Sequence, residues 1–380
     1  MNASIPDGLL ADRSRHARAW KAGGGLVVGF VSNCVPVELI HAAGCFPLQL
    51  PATPGQPTPQ ADRYMEDLFD PMARSLFDRL LCGDFDFVDL VVLPRAIDSF
   101  QRMYYYLCEL RRTGVASLPE VHLYDVLQSR SPSSAEYTHA RTLDLKALLE
   151  RLTSRPIGDG ELRASIAVYN RLRAKLEALS ERRRARPCQL SGVSALELFT
   201  ASQLMLPDVF AAALDQQLAA PAEPAPGTRV VLIGNAHDQP ALHASIVRAG
   251  GQVVADHHWR GEQLFGPAID RELPPLRALS QHYHRDARSP RSYPLPVSEL
   301  VELARAAGAE AAVFYYYAEE EALTWDYVDQ RAALAAIDVP SLCLSMQHYP
   351  PTSAVEPELA AFLSAVSAVS AVSAVTRRSP

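Results

Sequence analysis

Short apolar runs alternate with longer amphipathic segments through the first third of the chain. The short runs have the length and composition of buried strands, and the longer segments carry apolar residues at spacings of three and four, which is typical of helices. Strands are predicted at 26–31, 45–50, 88–93 and 121–124. Helices are predicted at 36–43, 62–81 and 100–112. Regular alternation of strand and helix predicts a parallel sheet that is covered on both faces.

The same alternation returns near the C-terminus, after a mostly helical stretch and a proline-rich linker at 221–227. Strands are predicted at 229–233, 252–255, 311–315 and 341–344. Helices are predicted at 240–249, 297–307 and 323–336. The sequence therefore predicts an α/β protein with two parallel sheets. The predicted parts are an N-terminal α/β domain (1–142), a helical connecting layer (143–220), a C-terminal α/β domain (221–363) and a low-complexity Ser-Ala-Val tail (364–380).

Composition narrows the class of protein. Of the 380 residues, 48% are hydrophobic and 21% are charged, and the formal net charge is −7. A negative chain offers no broad basic surface to a phosphate backbone, so nucleic acid is not expected as a partner. The absence of a long apolar run predicts no membrane span, and the N-terminus does not resemble a signal peptide, so a cytoplasmic location is expected. The arginines within 182–186 are interpreted as a solvated helix end, with contact to an anionic cofactor as the alternative.

Several segments together resemble one enzyme family, and they occur in that family's order. The first is GFVSNCVPVELIHAAG at 29–44. The others are ADRY at 61–64, PMARS at 71–75, DFDFVD at 84–89, GNAHD at 234–238, AGG at 249–251 and VPSL at 339–342. Each is weak alone, but their joint order is similar to the 2-hydroxyacyl-CoA dehydratase and benzoyl-CoA reductase family across almost the whole chain.

The resemblance implies two flavodoxin-like or Rossmann-like domains and an acyl-CoA thioester as substrate. In that family a four-iron four-sulfur cluster supplies the difficult electron chemistry, and the protein positions the thioester. The implied partners are a homologous cluster-bearing subunit, or a second copy of the chain, and an ATP-dependent activator that delivers an electron.

The sequence departs from the family at the cluster. The resemblance places the three cysteine ligands at positions that are occupied here by Ser32, Asp70 and Tyr317. Hydroxyl and carboxylate oxygens are harder donors than the thiolates that such a cluster needs. We therefore expect no cluster, and no other cofactor is indicated. Cys34, two residues from the expected turn position, offers a fallback thiolate ligand, and Cys343 near the end of the last strand is a second.

Candidate site residues lie mainly where strands are predicted to end. Ser32 and Asn33 follow the first strand, at the position where open α/β sheets bind ligands. Glu38 and His41 share a helix face and are predicted as an acid and a base, with an ordinary surface ion pair as the alternative. Ser32, Glu38 and His41 are the predicted catalytic residues, and Asn33 is predicted to contact substrate.

Two residues around the third helix are also singled out. Asp70 precedes Pro71, which is typical of a helix N-cap. Arg74 is predicted to reach a phosphate or carboxylate of the substrate, with a surface ion pair as the alternative.

The second domain is rich in histidine and tyrosine. His237 is predicted to bind substrate, and Tyr316 and Tyr317 are predicted to line an acyl pocket, with aromatic packing at the sheet end as the alternative. The density of histidine suggests a metal, but no H-E-x-x-H or comparable spacing occurs, so no metal site is predicted.

These observations favour a subunit of an acyl-CoA dehydratase or reductase complex that lacks its own cluster. Two alternatives stay open: an enzyme that performs non-redox chemistry on an acyl-CoA with Ser32, Glu38 or His41, and a non-catalytic scaffold or binding subunit.

Overall fold

The computed structural model contains two four-stranded sheets, and every strand pairing in them is parallel. It describes residues 8–127, 129–219, 221, 224–264, 266–285 and 297–376, with side chains up to 369. The predicted α/β class with parallel sheets is confirmed. Residues 222 and 223 of the predicted linker and the last four residues of the tail lie outside the described residues.

The first sheet is built from the N-terminal strands. These are β1 (Val27–Phe30), β2 (Phe46–Gln49), β3 (Leu90–Pro94) and β4 (Glu120–Tyr124). They are ordered β2-β1-β3-β4, and β1, β2 and β3 are buried along their whole length. Burial on both faces explains why these strands read as continuous apolar runs rather than as an alternating pattern.

Helices connect and cover these strands. They are α1 (Arg15–Ala22), α2 (Val37–Ala42), α3 (Pro71–Leu81), α4 (Asp98–Arg112) and α5 (Pro132–Thr153), with a 3-10 turn at Ala61–Arg63. Gly44 follows α2 with φ of +77°, a conformation that glycine adopts without strain, and so ends the helix where the sequence predicts. The prediction of one helix over 62–81 is wrong in its first half. Proline at the first position of α3 and the Asp70 cap set the start of that helix at Pro71.

The predicted helical stretch is confirmed. It contains the end of α5 and then α6 (Asp159–Arg184), α7 (Gly192–Ala201) and α8 (Pro207–Ala219). None of the helices in the described residues has the combination of length and apolarity that a membrane span requires.

The second sheet repeats the order of the first. Its strands are β5 (Thr228–Gly234), β6 (Gly251–His257), β7 (Ala311–Tyr317) and β8 (Ser341–Gln347), ordered β6-β5-β7-β8. The accompanying helices are α9 (Ala241–Arg248), α10 (Pro275–Arg285), α11 (Val297–Ala307), α12 (Tyr327–Ala335) and α13 (Glu356–Thr376), with 3-10 turns at Leu323–Asp326 and Ser353–Val355. Helix α10 is not predicted from the sequence. The Ser-Ala-Val repeats, for which no structure is predicted, lie in α13.

Each sheet has a topological switch point at the carboxyl ends of its two central strands. In the first sheet the chain leaves β1 towards β2 on one side and returns to β3 on the other. In the second sheet β5 and β7 have the same relation. Because ligands of open α/β proteins bind at this position, the segments after β1, β5 and β7 are candidate binding positions.

The chain divides into two units by contact. Unit 1 draws on Met1–Lys175, Thr200–Ala219 and Leu264–Tyr293, and unit 2 draws on Leu176–Phe199, Ala220–Gln263 and Pro294–Pro380. The first sheet lies in unit 1 and the second in unit 2. The domain boundaries predicted at 142, 220 and 363 stay predictions.

Candidate functional site

The segment after β1 is buried at the switch point of the first sheet. Ser32 is fully buried and Asn33 is 8% exposed. The Ser32 Oγ accepts a hydrogen bond from the backbone N–H of Cys34 at 3.4 Å, so this hydroxyl helps to shape the turn. The Cys34 thiol lies 3.9 Å from the Asn33 side-chain oxygen and is also buried.

A small cavity adjoins Asn33 in unit 1. Its volume of about 10 Å³ is enough for a single water molecule. It is lined by Phe30, Asn33, Val35, Val37, Gln203, Leu264, His282 and Tyr283. Asn33 is therefore a predicted site residue that borders an internal space.

Glu38 lies in a complete buried ionic cluster. Its carboxylate accepts from the Arg173 guanidinium through one oxygen and from the Tyr283 hydroxyl, at 2.7 Å, through the other. Glu38 is fully buried and the Arg173 side chain is 4% exposed, so the interpretation as a surface ion pair is wrong. The reason is that both partners are distant in sequence, at 173 and 283, and close around the carboxylate only in the fold. We call Glu38, Arg173 and Tyr283 the Glu38 cluster.

The charge of Glu38 is held by this cluster. Burial alone would raise the pKa of the Glu38 carboxyl, but the Arg173 guanidinium, with His282 and the Tyr283 hydroxyl, outweighs burial and holds that pKa below its ordinary value. An ionised carboxylate with both oxygens bonded serves as a structural anion more readily than as an acid.

His41, the second member of the predicted acid and base, has a different partner. The Ser165 hydroxyl donates to the backbone oxygen of Glu38 at 2.8 Å, and His41 Nδ1 lies 2.9 Å from the same hydroxyl oxygen. Since the serine proton is committed to the carbonyl, His41 Nδ1 donates and Nε2 carries the lone pair. Burial lowers the pKa of His41, against Asp208 and Glu38, so the imidazole is neutral at neutral pH.

Asp70 and Arg74 have local structural partners. The Asp70 carboxylate accepts from the backbone N–H of Ala73 at 2.9 Å, which confirms the predicted N-cap. Arg74 donates to the backbone oxygens of Met65 at 2.9 Å and Glu66 at 2.7 Å, and it pairs with Asp62. The Arg74 side chain therefore fixes the loop before α3.

The switch point of the second sheet is closed by hydrogen bonds between the two strand ends. The backbone N–H of Tyr317 donates to the Asn235 side-chain oxygen at 3.0 Å, and the Tyr317 hydroxyl donates to the backbone oxygen of Ala236. A Cβ on Gly234 would lie 2.3 Å from the Tyr315 backbone oxygen, so only glycine allows this approach. Strand β7 runs two residues beyond its predicted end, which places Tyr316 inside the buried core beside Phe314.

His237 follows the same strand end and is surrounded by aromatic rings. Its ring centroid lies 5.1 Å from that of Tyr315, 5.4 Å from Tyr349 and 5.8 Å from His258. Neither ring nitrogen of His237, His243 or His258 has a hydrogen-bond partner in the described part of the chain. We call these three residues the histidine cluster. Burial lowers the pKa of His237 well below its ordinary value and that of His258 to about 4, so both rings are neutral.

The arginine-rich end of α6 also lies in unit 2. The prediction of a solvated helix end is wrong for Arg183, which is fully buried and donates to Asp256 and to Glu262 at 2.6 Å each. Burial would raise the pKa of Asp256, but the Arg183 guanidinium holds it well below its ordinary value. The partners lie 73 and 79 residues along the chain, so no local pattern reveals them.

A larger cavity of about 310 Å³ lies elsewhere in unit 1 and contains none of the predicted site residues. It is lined by Arg163, Ile166, Asp270, Arg271, Glu272, Leu273 and Pro275. Its charged rim has equal numbers of arginines and carboxylates, which gives no preference for an anion.

Comparison with known proteins identifies the family. The model of the family described as 2-hydroxyglutaryl-CoA dehydratase, D-component, matches residues 33–365. The chain belongs to this family. It is 27% identical over 282 residues to one of the benzoyl-CoA reductase subunits of Thauera aromatica, a match that covers 70% of each chain. It is 21% identical over 332 residues to the beta subunit of the (R)-2-hydroxyglutaryl-CoA dehydratase of Acidaminococcus fermentans, covering 84% of this chain and 87% of that protein. The family resemblance drawn from the sequence is confirmed.

The residues at the positions implied for the family's cluster ligands do not fit an iron–sulfur cluster. Ser32, Asp70 and Tyr317 offer oxygen instead of sulfur, and each oxygen already bonds a backbone group of its own surroundings. In the described residues, no cysteine belongs to a group of three side chains that could hold a metal ion. These three positions therefore offer no thiolate to such a cluster.

Proposed function

We propose that the chain is a subunit of a 2-hydroxyacyl-CoA dehydratase or benzoyl-CoA reductase type of complex, that it acts on an acyl-CoA thioester, and that it has no cluster of its own. The redox centre belongs to a homologous, cysteine-bearing partner, and an ATP-dependent activator supplies the electron. Two of the relatives are named as subunits, of a benzoyl-CoA reductase and of a 2-hydroxyglutaryl-CoA dehydratase, which supports a multi-subunit assembly.

The observation that carries the proposal is the retained scaffold with oxygen donors at all three cluster positions. The family match runs from 33 to 365, so the fold is kept, and Ser32, Asp70 and Tyr317 stand at the positions that the resemblance implies for the ligands. A hydroxyl that shapes a turn, a carboxylate that caps a helix and a phenol bonded to a carbonyl have structural roles that do not depend on iron.

The proposed substrate contacts are chosen by two criteria: whether a side chain borders a cavity and whether it has an atom available for hydrogen bonding or proton transfer. Asn33 borders a cavity, and His41 keeps a lone pair on Nε2, so these two side chains are our leading candidates for contact with the acyl group or for proton transfer. Ser32 and His237 stay candidates because they follow central strands at the switch points. Glu38, Arg74, Tyr316 and Tyr317 have structural partners, and we propose that they shape the site rather than react.

Anaerobic purification tests the proposal. The chain alone is expected to contain fewer than about 0.5 iron atoms and no acid-labile sulfide, whereas a four-iron cluster would give about four of each. Iron, sulfide and visible absorbance are measured on the chain alone and after co-expression with a cysteine-bearing homologue. Stable co-purification, with iron present only in the complex, is the expected result.

The matched control, Cys34→Ser, removes one of the two fallback thiolates. Iron and sulfide near four in the wild type that disappear in Cys34→Ser would contradict the cluster-free proposal and show a rebuilt site. Acyl-CoA turnover by the isolated, iron-poor chain would instead favour non-redox chemistry by this chain alone. Failure both to associate and to bind an acyl-CoA would remove the proposed function altogether.

A further inference from the structure

Three potential metal ligands converge in unit 2, and none of them occupies a position implied for the cluster. His243 lies on α9, Asp256 lies on β6 and His258 follows that strand. Each offers one ligand atom, and these atoms all lie within 4.8 Å of one another. The His243 Nε2 is 3.6 Å from the Asp256 Oδ2, which is long for a hydrogen bond but is a separation that two ligands of one ion can adopt.

The imidazoles of this group are buried without hydrogen bonds. His243 is fully buried and His258 is 2% exposed. Among the described residues, none accepts from or donates to their four ring nitrogens. A neutral imidazole has one N–H donor and one lone pair, and leaving both unsatisfied away from water costs several kcal/mol, so some partner for these nitrogens is expected.

The backbone around Asp256 is shaped for its carboxylate. A Cβ on Gly261 would lie 1.7 Å from the Asp256 Oδ1, so only glycine leaves room for the carboxylate at this position. The same oxygen accepts from the backbone N–H of Glu262 at 2.8 Å, and Oδ2 accepts from Arg183 at 2.6 Å. Outer bonds of this kind orient a ligating carboxylate.

The carboxylates at this site are already paired. Arg183 bonds both Asp256 and Glu262, and Arg184 bonds Glu262, so these four side chains carry no net charge. The donor atoms, rather than a net negative charge, therefore support a metal at this position. Two imidazole nitrogens and one carboxylate oxygen form a donor set that suits zinc and other divalent first-row metals.

We propose that His243, Asp256 and His258 bind one divalent transition-metal ion, with zinc as the representative case. The ion takes the lone pairs of the two imidazoles and joins α9 to β6, and its remaining position is open to water or another ligand. The site is distinct from the family's cluster, since it uses no cysteine. The sequence does not predict this site, because its ligands at positions 243, 256 and 258 match no short metal-binding motif.

Cobalt(II) titration of the full chain tests this site. The purified protein is treated with a chelator, dialysed and titrated with cobalt(II), which gives visible ligand-field bands when nitrogen and oxygen ligands enclose it. About one equivalent is expected to bind, and zinc is expected to displace it and abolish the bands. A chelator-treated, folded wild-type chain that gives no bands and retains no zinc would overturn the proposal, whatever the variants do.

Variants assign the ligands. His243→Gln and His258→Gln are each expected to weaken cobalt(II) binding by at least about tenfold. His122→Gln, on β4 in unit 1, is the matched control and should bind cobalt(II) as the wild type does. Circular dichroism confirms that each variant is folded. Unchanged binding in both folded ligand variants would contradict the assignment. The cluster test is independent, because a metal held here brings no acid-labile sulfide.

Discussion

Each of the two units buries an ion pair whose arginine lies on α6. The units differ in how far the protein supplies hydrogen bonds to the polar groups around that pair. In unit 1, both oxygens of Glu38 are bonded within the Glu38 cluster, by Arg173 and by Tyr283. In unit 2, the Asp256 carboxylate is bonded by Arg183 and by a backbone N–H, yet the histidine cluster beside it leaves its ring nitrogens without hydrogen bonds among the described residues. In unit 1 the protein bonds both oxygens of the carboxylate, whereas in unit 2 the described residues bond the carboxylate but none of the six ring nitrogens of the histidine cluster.

This contrast separates residues with a structural partner from residues that are free to bind a ligand or react. Glu38 is predicted to be catalytic because an acid and a histidine share a helix face, but in the fold both of its carboxylate oxygens are bonded by other side chains. The histidine cluster matches no motif, but its buried ring nitrogens have no hydrogen-bond partner among the described residues, which is part of the case for the proposed metal site. Buried polar groups therefore indicate function by the bonds they lack more than by their residue type.

The largest loss of folding stability is expected for Arg183→Met, which removes the arginine of the buried ion pair in unit 2. Removal of the guanidinium leaves the fully buried Asp256 carboxylate without its arginine, while Glu262 keeps Arg184. Loss of one partner of a buried pair costs about 3–5 kcal/mol. The free energy of unfolding in urea is the measurement.

Arg171→Met is the control for that variant, because Arg171 is an exposed arginine on the same helix. It should change the free energy of unfolding by less than about 0.5 kcal/mol. Equal urea midpoints for Arg183→Met and Arg171→Met would show that the buried ion pair in unit 2 does not contribute to folding stability, which contradicts the prediction.

A smaller, pH-dependent effect is expected for Glu38→Gln. The pKa of Glu38 is lowered from an ordinary value of 4.5, so its contribution to stability is present above pH 4.5 and is lost as the pH falls through the lower folded value. At pH 7 the variant leaves Arg173 without its carboxylate and should be about 3 kcal/mol less stable than the wild type. The difference between the two should shrink as the pH falls below 4.5. Urea unfolding at a series of pH values measures it.

Glu358→Gln provides the comparison, because Glu358 is exposed on α13. Its difference from the wild type should stay near zero at every pH. A Glu38→Gln difference that is constant with pH would mean that the Arg173 pairing does not control the ionisation of Glu38.

The sequence predicts most of the fold and part of the site, and the division has a physical basis. Strand positions, the Gly44 helix stop and the Asp70 cap are determined by neighbouring residues, so a local pattern reveals them. Arg173 and Tyr283 lie 135 and 245 residues from Glu38, so only the folded chain shows that they enclose it. The predicted end of β7 is two residues early because a Tyr-rich segment after a strand also suits a pocket lining.

The smallest effect on stability is expected for a variant in the histidine cluster of unit 2. His237→Phe replaces an imidazole whose nitrogens have no hydrogen-bond partner among the described residues with a ring that keeps the edge contacts to Tyr315 and Tyr349. Because no hydrogen bond is lost and a buried polar group is removed, the free energy of unfolding of chelator-treated protein should stay within about 1 kcal/mol of the wild type or rise. Tyr283→Phe is the matched control: it removes one hydroxyl that bonds the buried Glu38 carboxylate and should cost about 2 kcal/mol. If His237→Phe costs more than Tyr283→Phe under these conditions, then His237 is already satisfied in the folded chain, and the two units do not differ in the way their buried polar groups suggest.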